Sequence, residues 1–250
     1  MDLLSARKST RDQSVTSPST SLAEALERQC IELSDDQIGL MEKYCDLLWT
    51  KNASLNLTRH TDFDTFAARD VVDSIELSRL LYPGERVLDI GSGGGVPGIL
   101  LSILRPDVHI GLCDCVKKKA EALAAMLAEL GLDVPVFADR SEDVVMAAEF
   151  DTVVARAVGP MAKILTWMQH TWDRFDRMLL IKGPNWSNER GEARHRGLLK
   201  HLELRCASAY DMPGTTSQSV ILVLWPKGRD VPGAASPSAG APSRDEGASS

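Results

Sequence analysis

The spacing of apolar residues divides the chain into a helical first part and an alternating second part. Ser34-Asp35-Asp36-Gln37 has the residue types of a capping box, which predicts that a helix begins there. A loop is predicted over residues 52–60, followed by a helical region over about 62–81, either continuous or broken in the middle. Pro83-Gly84 ends this part. The apolar positions at helical spacing are Leu22, Ala25, Leu26 and Cys30 in a first helix and Ile38, Met41, Cys45 and Leu48 in a second.

Strand and helix patterns alternate in the second part. Repeated strand–helix units predict an α/β fold: a Rossmann-like, mostly parallel sheet of about seven strands with helices on both faces. A polar connection after Lys182 is predicted to be helical. The predicted strands are Arg86–Ile90, His109–Cys113, 134–138, 152–155, 178–182, 202–207 and 219–225. The predicted helices are Gly98–Leu104, Lys117–Leu130, 142–147 and 160–175.

Composition indicates the domain boundaries and excludes several classes of protein. Residues 1–20 and 227–250 are rich in small and polar residues and are predicted to be disordered tails. They enclose a helical region (21–83) and an α/β domain (84–226). No apolar run could span a bilayer, and no secretory signal opens the chain. The five cysteines form no CxxC pair, which favours reduced thiols and a cytoplasmic location. A net charge of −7 excludes a generally basic nucleic-acid binder, but a local basic face remains open.

Polar residues stand where the predicted strands end. The carboxyl ends of parallel strands meet at one edge of a sheet, where ligands of such folds bind. These residues should therefore form one site. They are Asp89, Asp114, Asp139, Arg156 and Lys182.

The segment Val87-Leu88-Asp89-Ile90-Gly91-Ser92-Gly93-Gly94-Gly95-Val96-Pro97-Gly98 predicts a strand, a tight turn and a helix start. Its GxGxxG match alone does not separate NAD from S-adenosylmethionine. A carboxylate at Asp89 would repel a pyrophosphate but suits a ligand with an ammonium and a sulfonium group. Asp114 could accept ribose hydroxyls of either ligand. Asp89 therefore favours S-adenosylmethionine.

The other candidates keep open alternatives. Ser141 could border an adenine or cap a helix. Arg156 could pair with Asp89 or Asp114, or face the donor's methionyl carboxylate or the substrate. Lys182 could contact a phosphate, form an ion pair or be solvated.

The basic runs are equally open. Lys117-Lys118-Lys119 could contact an RNA backbone or simply be solvated, and the bases from Arg190 to Arg205 are interleaved with acids, as on a solvated helix face. The histidines show no spacing typical of metal ligands, so no metal is expected.

From Leu22 to Pro226 the chain resembles the ribosomal RNA small subunit methyltransferase G family, also called glucose-inhibited division protein B. The Asn56-Leu57-Thr58 and Val96-Pro97-Gly98-Ile99 segments are its most specific markers. The chain departs from the family at Asp70, where many members have histidine. The other markers are Arg69, Asp73-Ser74, the Asp89–Gly95 stretch, Asp114, Lys118-Lys119, Arg140-Ser141-Glu142, Arg156-Ala157 and Lys182-Gly183.

The resemblance implies transfer of a methyl group from S-adenosylmethionine to N7 of one guanine in 16S rRNA near the decoding region, without a catalytic base. Expected partners are 16S rRNA or the small ribosomal subunit, and the protein is expected to be a monomer. The implied donor contacts are Gly91, Val96, Ser141, Glu142 and Arg156, with Asp89, Gly93 and Asp114 beside them. The implied RNA contacts are Arg69, Lys118, Lys119 and Lys182.

Three other functions compete with this one. They are methylation of another substrate, a non-catalytic ribosome-assembly factor with a vestigial pocket and, more distantly, an NAD-dependent oxidoreductase.

Overall fold

The structure is a computed structural model that describes residues 17–231. Both described ends contact the body of the protein. Ser19 donates two hydrogen bonds to Asp64, and Arg229 donates one to the Phe175 carbonyl. Residues 17–20 and 227–231, predicted as parts of the tails, are therefore held in place by hydrogen bonds or burial at several points. The remainder of both predicted tails lies outside the described residues.

One seven-stranded sheet forms the centre, in the order β3-β2-β1-β4-β5-β7-β6. The first five strands are parallel, as predicted, while β7 is antiparallel to both β5 and β6. The strands are β1 (Arg86–Ile90), β2 (His109–Cys113), β3 (Val136–Phe137), β4 (Thr152–Arg156), β5 (Arg177–Lys182), β6 (Leu202–Asp211) and β7 (Gln218–Pro226).

Helices cover both faces of this sheet, each over its own hydrophobic cluster. The helical first part packs with α5 and α6 on one face, and α7, α8 and α9 pack on the other. The helices are α1 (Leu22–Arg28), α2 (Asp35–Leu55), α3 (Phe63–Thr65), α4 (Val72–Ser78), α5 (Gly98–Leu104), α6 (Lys117–Leu130), α7 (Ser141–Ala147), α8 (Met161–Trp167) and α9 (Trp186–His195).

Most predicted elements are confirmed, and the differences have local causes. The capping box of α2 forms, with Ser34 and Gln37 bonded reciprocally, but the helix continues to Leu55. The predicted helix over 160–175 is wrong beyond Trp167. There the Thr171 hydroxyl donates to the Met168 carbonyl in a turn, a local bond that competes with helix continuation.

The helical region after residue 62 is continuous rather than broken. Its middle, Phe66–Val71, is a π-helical segment that joins α3 to α4. Such segments interrupt the regular spacing of side chains and often occur at functional sites. This one buries Asp70 and is followed directly by the buried Asp73 at the start of α4.

Candidate functional site

Two adjoining cavities lie at the carboxyl edge of the parallel strands, the predicted position. The first, about 330 Å³, lies between the glycine loop after β1 and the helical extension. The second, about 240 Å³, is bordered by the segment from Asp139 to Glu142. Both are lined by Gly91, Cys115 and Val158, so together they form one elongated cleft.

Glycine is required at the point where the two cavities meet. Gly91 has φ +65°, a conformation that side chains rarely adopt, and a Cβ there would lie 2.8 Å from Val158 Cγ1. Gly98, at the start of α5, has no room for a Cβ either, because Leu112 and Asp89 occupy the space. The loop backbone is thereby brought to the cleft surface, where Gly91, Gly93 and Val96 are lining residues. Their contact with the donor stays a prediction.

Asp89 lies beneath this loop rather than in the cleft lining. It is 1% exposed, and its Oδ2 accepts a hydrogen bond from the Gly98 N–H at 3.1 Å. Its Oδ1 has no hydrogen-bond partner among the described residues. Burial raises the pKa of Asp89 to about 7. The carboxylate therefore anchors the start of α5, and a direct contact with a donor stays a prediction that would have to use Oδ1.

Asp114 does line the cleft, at the end of β2. Its Oδ2 accepts from the Gly93 N–H at 3.0 Å, and its Oδ1 accepts from the Val116 N–H at 2.8 Å. These bonds fix the carboxylate while leaving lone pairs for further donors, since each carboxylate oxygen has two. The arrangement suits a ribose diol.

The helical extension supplies the opposite side of the first cavity. The buried Tyr44 hydroxyl of α2 donates to the Gly94 carbonyl at 2.8 Å, which ties the extension to the glycine loop. The Asn52 side chain accepts from the N–H groups of Leu57 and Thr58, at 2.6 and 2.9 Å, and these two residues line the cavity. The Asn56-Leu57-Thr58 marker thus forms part of the cleft.

Arg156, at the end of β4, lines the cleft but has neither of its predicted partners. Instead it forms ion pairs with Asp70 and, at 3.0 Å, with Asp73. Asp73 also accepts from the Tyr210 hydroxyl at 2.7 Å, and Asp70 contacts His60 Nδ1 at 3.0 Å. We call His60, Asp70, Asp73, Arg156 and Tyr210 the ion-pair wall, and residues 91–98 with Asp89 and Asp114 the glycine-loop wall.

In the ion-pair wall, burial and nearby charges shift the aspartate pKa values in opposite directions. Burial acts to raise the pKa of Asp70, but Arg156 and the His60 hydrogen bond together lower it. Burial dominates at Asp73, whose pKa is raised. Asp70, which replaces the family histidine, is therefore a structural carboxylate that holds Arg156. An imidazole is still present beside it, contributed by His60.

Ser141 and Glu142 border the second cavity, and their contact with the donor stays a prediction. Glu142 forms an ion pair with Arg140 at 2.8 Å, and the Ser141 hydroxyl contacts Glu142 at 3.3 Å. Ser141 does not cap α7, because it is the first residue of that helix and Arg140 holds the cap position without a side-chain bond. Its alternative interpretation as a helix cap is wrong.

The predicted RNA contacts divide into two groups. Lys119 lines the first cavity, and Lys118 is exposed beside it. The half-buried Arg69 forms no side-chain hydrogen bond or ion pair within residues 17–231, although its charge acts to lower the pKa of Asp73. Lys182 is buried, donates to the Gly159 carbonyl at 2.6 Å and pairs with Glu189 at 2.9 Å. The ion-pair alternative for Lys182 is therefore confirmed, and a contact between its ammonium group and RNA stays a prediction.

Residues 17–231 contain no group of three or more His, Cys, Asp or Glu side chains arranged to hold a metal ion. Within the same range, no helix is both long and apolar enough to cross a membrane.

Sequence reasoning missed Tyr44, His60 and Tyr210 as parts of the site. Tyr44 stands one residue before Cys45 in an apolar helical pattern, and nothing in that pattern indicates a bond to a loop 50 residues away. Tyr210 lies 137 residues from Asp73. The sequence contained one signal of the ion-pair wall: two acids three residues apart, Asp70 and Asp73, within a predicted helical region.

A glycine loop after the first strand and an acid after the second, on a sheet of this order, define a class I S-adenosylmethionine-dependent methyltransferase fold. The structure is similar to a mutant of MtNAS solved in complex with S-adenosylmethionine, with a TM-score of 0.51, 17% identity and coverage of 82% of this chain and 84% of that one. That likeness concerns the fold alone. The chain belongs to the rRNA small subunit methyltransferase G (GidB) family, whose model matches residues 37–210.

Curated relatives support the assignment. A ribosomal RNA small subunit methyltransferase G from Rhodopirellula baltica is 49% identical over 189 residues, which are 75% of this chain and 81% of the relative. One from Mycolicibacterium smegmatis is 35% identical over 190 residues, 72% of this chain and 80% of the relative.

Proposed function

We propose that this protein transfers a methyl group from S-adenosylmethionine to N7 of one guanine in 16S rRNA. The observation that carries the proposal is the cleft at the carboxyl edge of the sheet, with the glycine loop on one side and Leu57 and Thr58 of the family marker on the other. Membership of the rRNA small subunit methyltransferase G family supplies the acceptor.

The cleft residues fit the donor. A Cβ at Gly91 would fill the junction of the two cavities, so the glycine leaves room for an elongated ligand. Asp114 would accept from ribose hydroxyls, and the segment at Ser141 and Glu142 would border the adenine. Arg156, held by its two carboxylates, would face the methionyl end. When bound, S-adenosylmethionine supplies an electrophilic methyl group on its sulfonium.

The acceptor explains why no general base is needed. Guanine N7 has a free lone pair and no proton to lose, so attack on the methyl group is a direct in-line displacement. Orientation alone can supply about 7–11 kcal/mol of such a barrier. The protein's task is to hold an exposed guanine against the donor, which requires an unstacked base. Lys118, Lys119 and Arg69 would hold the RNA around it.

The test is chemical cleavage at 7-methylguanosine in 16S rRNA from cells with and without the gene, followed by methylation of the unmodified rRNA with purified protein. We expect one cleavage site that disappears with the gene and returns in vitro. Unchanged 7-methylguanosine in the deletion strain would overturn the proposal. RNA binding without donor binding would instead indicate the non-catalytic assembly factor.

We further propose a cytoplasmic monomer. The rRNA substrate is found where ribosomes are assembled, and one chain supplies both walls of the cleft. We expect light scattering to give the mass of one chain for protein that is fully active in methyl transfer.

A further inference from the structure

A second concave surface carries unpaired positive charge. It is a groove of about 450 Å³ between the end of α9 and the beginning of β6. We call it the basic groove. Its lining residues are Arg190, Arg194, Gly197, Leu199, Lys200, Leu202, Glu203, Leu204 and Lys227.

Within the part of the chain that the structure describes, the cations of the basic groove differ from a neighbouring arginine in forming no ion pair. Arg194, Lys200 and Lys227 are exposed, and within residues 17–231 they and Arg190 form no ion pair. Arg196, which does not line the groove, pairs with Glu192 at 2.7 Å. Four cations against Glu203 give the lining a net charge of +3, on a chain whose net charge is −7. Such a local excess calls for an anionic partner.

One of the four cations is also held in position. The Arg190 guanidinium lies 5.2 Å from the centre of the Trp186 ring. Stacking of this kind restricts an arginine without using its N–H donors. Those donors remain available for bidentate contacts, which phosphate oxygens accept particularly well.

The basic groove lies at the end of the sheet opposite the donor cleft. Lys182, at the cleft edge, is opposite Val220 of β7, whereas Leu202 is opposite Pro226 at the other edge. Val220 and Pro226 are six residues apart on β7. At about 3.3 Å per residue, the two levels of the sheet are roughly 20 Å apart along the strand. No single unstacked nucleotide could occupy both places.

We propose that the basic groove binds the sugar–phosphate backbone of an rRNA segment separate from the one that carries the target guanine. The proposal rests on the proposed function, since an rRNA substrate is a polyanion long enough to reach both places. Phosphate contacts position a nucleic acid without reading its sequence. The groove would therefore orient the substrate and give affinity for a large RNA, while the cleft selects the base.

The test removes three exposed cations with the triple variant Arg194→Gln, Lys200→Gln, Lys227→Gln. A matched control, Arg28→Gln, Arg79→Gln, Arg174→Gln, changes the net charge equally outside the groove. Filter binding measures the affinity for protein-free 16S rRNA from the deletion strain at several salt concentrations. Loss of three phosphate contacts should reduce the slope of log K against log salt by about 2–3. The control should keep the wild-type slope.

Substrate length provides the second readout. The groove variant should raise KM for 16S rRNA at least about tenfold at moderate salt, with kcat and donor affinity unchanged. KM for a short oligonucleotide around the methylated guanine should stay the same, because it cannot reach the groove. An equal change for the short and long RNA, or a slope equal to the control's, would overturn the proposal.

The outcomes separate this proposal from its alternatives and from the proposed function. A defect with the intact small subunit but none with protein-free rRNA would overturn the RNA assignment in favour of a ribosomal protein. If the wild type methylates no rRNA, the proposed function is wrong. The salt dependence of binding still tests whether the basic groove contacts RNA phosphates.

Discussion

One aspartate in each wall of the donor cleft is almost completely buried, and the pKa values of these two carboxyl groups shift in opposite directions. Asp70 in the ion-pair wall and Asp89 in the glycine-loop wall are each 1% exposed. Burial acts on both, but the nearby Arg156 and His60 leave the pKa of Asp70 lowered. Asp89 has a backbone N–H as its hydrogen-bond donor, and its pKa is raised to about 7.

This difference shows how the two walls are built. The glycine-loop wall depends on backbone geometry within a short stretch, with a few bonds from Asp114 and Tyr44. The ion-pair wall depends on side-chain charges from distant segments, with Arg156 reaching Asp70 across 86 positions. A substitution should therefore damage donor binding in the first wall and stability in the second.

The largest expected effect is a loss of donor binding when the glycine-loop wall is disrupted. Gly91→Val places a branched side chain at φ +65° with its Cβ 2.8 Å from Val158 Cγ1, in the middle of the cleft. We expect calorimetric titration with S-adenosylmethionine to give no binding heat. Normal heat would show that the donor binds elsewhere.

Gly131→Val is the matched control. Gly131 has φ +73°, but nothing lies within 4 Å of its Cβ position. The control carries similar backbone strain without filling the cleft, so it should lose a little stability and keep donor binding. Loss of binding in both variants would assign the effect to general instability.

The next largest effect is a loss of stability when the ion-pair wall is disrupted. Asp70→Ala removes one of the two carboxylates that hold Arg156, whose side chain is only 15% exposed. Removing one partner of a buried pair typically costs about 3–5 kcal/mol, and we expect a loss of that order in the free energy of unfolding measured with urea. Part of the donor affinity should remain, because the glycine loop is untouched.

Asp64→Ala is the control for this variant. Asp64 pairs with Arg28 at 3.3 Å and accepts from Ser19, but it is about one-third exposed. Exposed pairs are worth about 0–1 kcal/mol, so this loss should be much smaller. Equal losses would contradict the difference between the walls.

The same contrast explains how far the sequence predicts this molecule. The glycine-loop wall could be predicted because its turn, its acids and the following helix are adjacent in the chain. Helices α5 and α6 and strands β1 and β2 have the predicted bounds. The partners of Arg156 could not be predicted, since they depend on how the π-helical segment turns Asp70 and Asp73 toward β4. The sequence left Lys182 open between a phosphate contact and an ion pair, because its acceptor, Glu189, lies in a later helix.

The last expected effect is a pH dependence of stability, which sharpens the comparison. Because its folded-state pKa is about 7, Asp89 keeps its proton in the folded protein after losing it in the unfolded chain, whose value is about 3.9. The unfolded state then binds fewer protons between about pH 4 and 7, so Asp89 lowers stability as pH rises through this window. Asp89→Asn keeps an acceptor for the Gly98 N–H but does not titrate.

We expect the stability of the wild type minus that of Asp89→Asn to fall by up to about 1.4 kcal/mol per pH unit between about pH 4 and 7, and to be constant above. Asp151→Asn gives the opposite sign. Hydrogen bonds from Arg86 lower the pKa of Asp151, so its contribution is present above about pH 4 and is lost only as pH falls below. Urea unfolding from pH 3.5 to 8 distinguishes the two. A constant difference for Asp89→Asn would mean that the carboxylate is ionised under the loop, and the contrast between the walls would disappear.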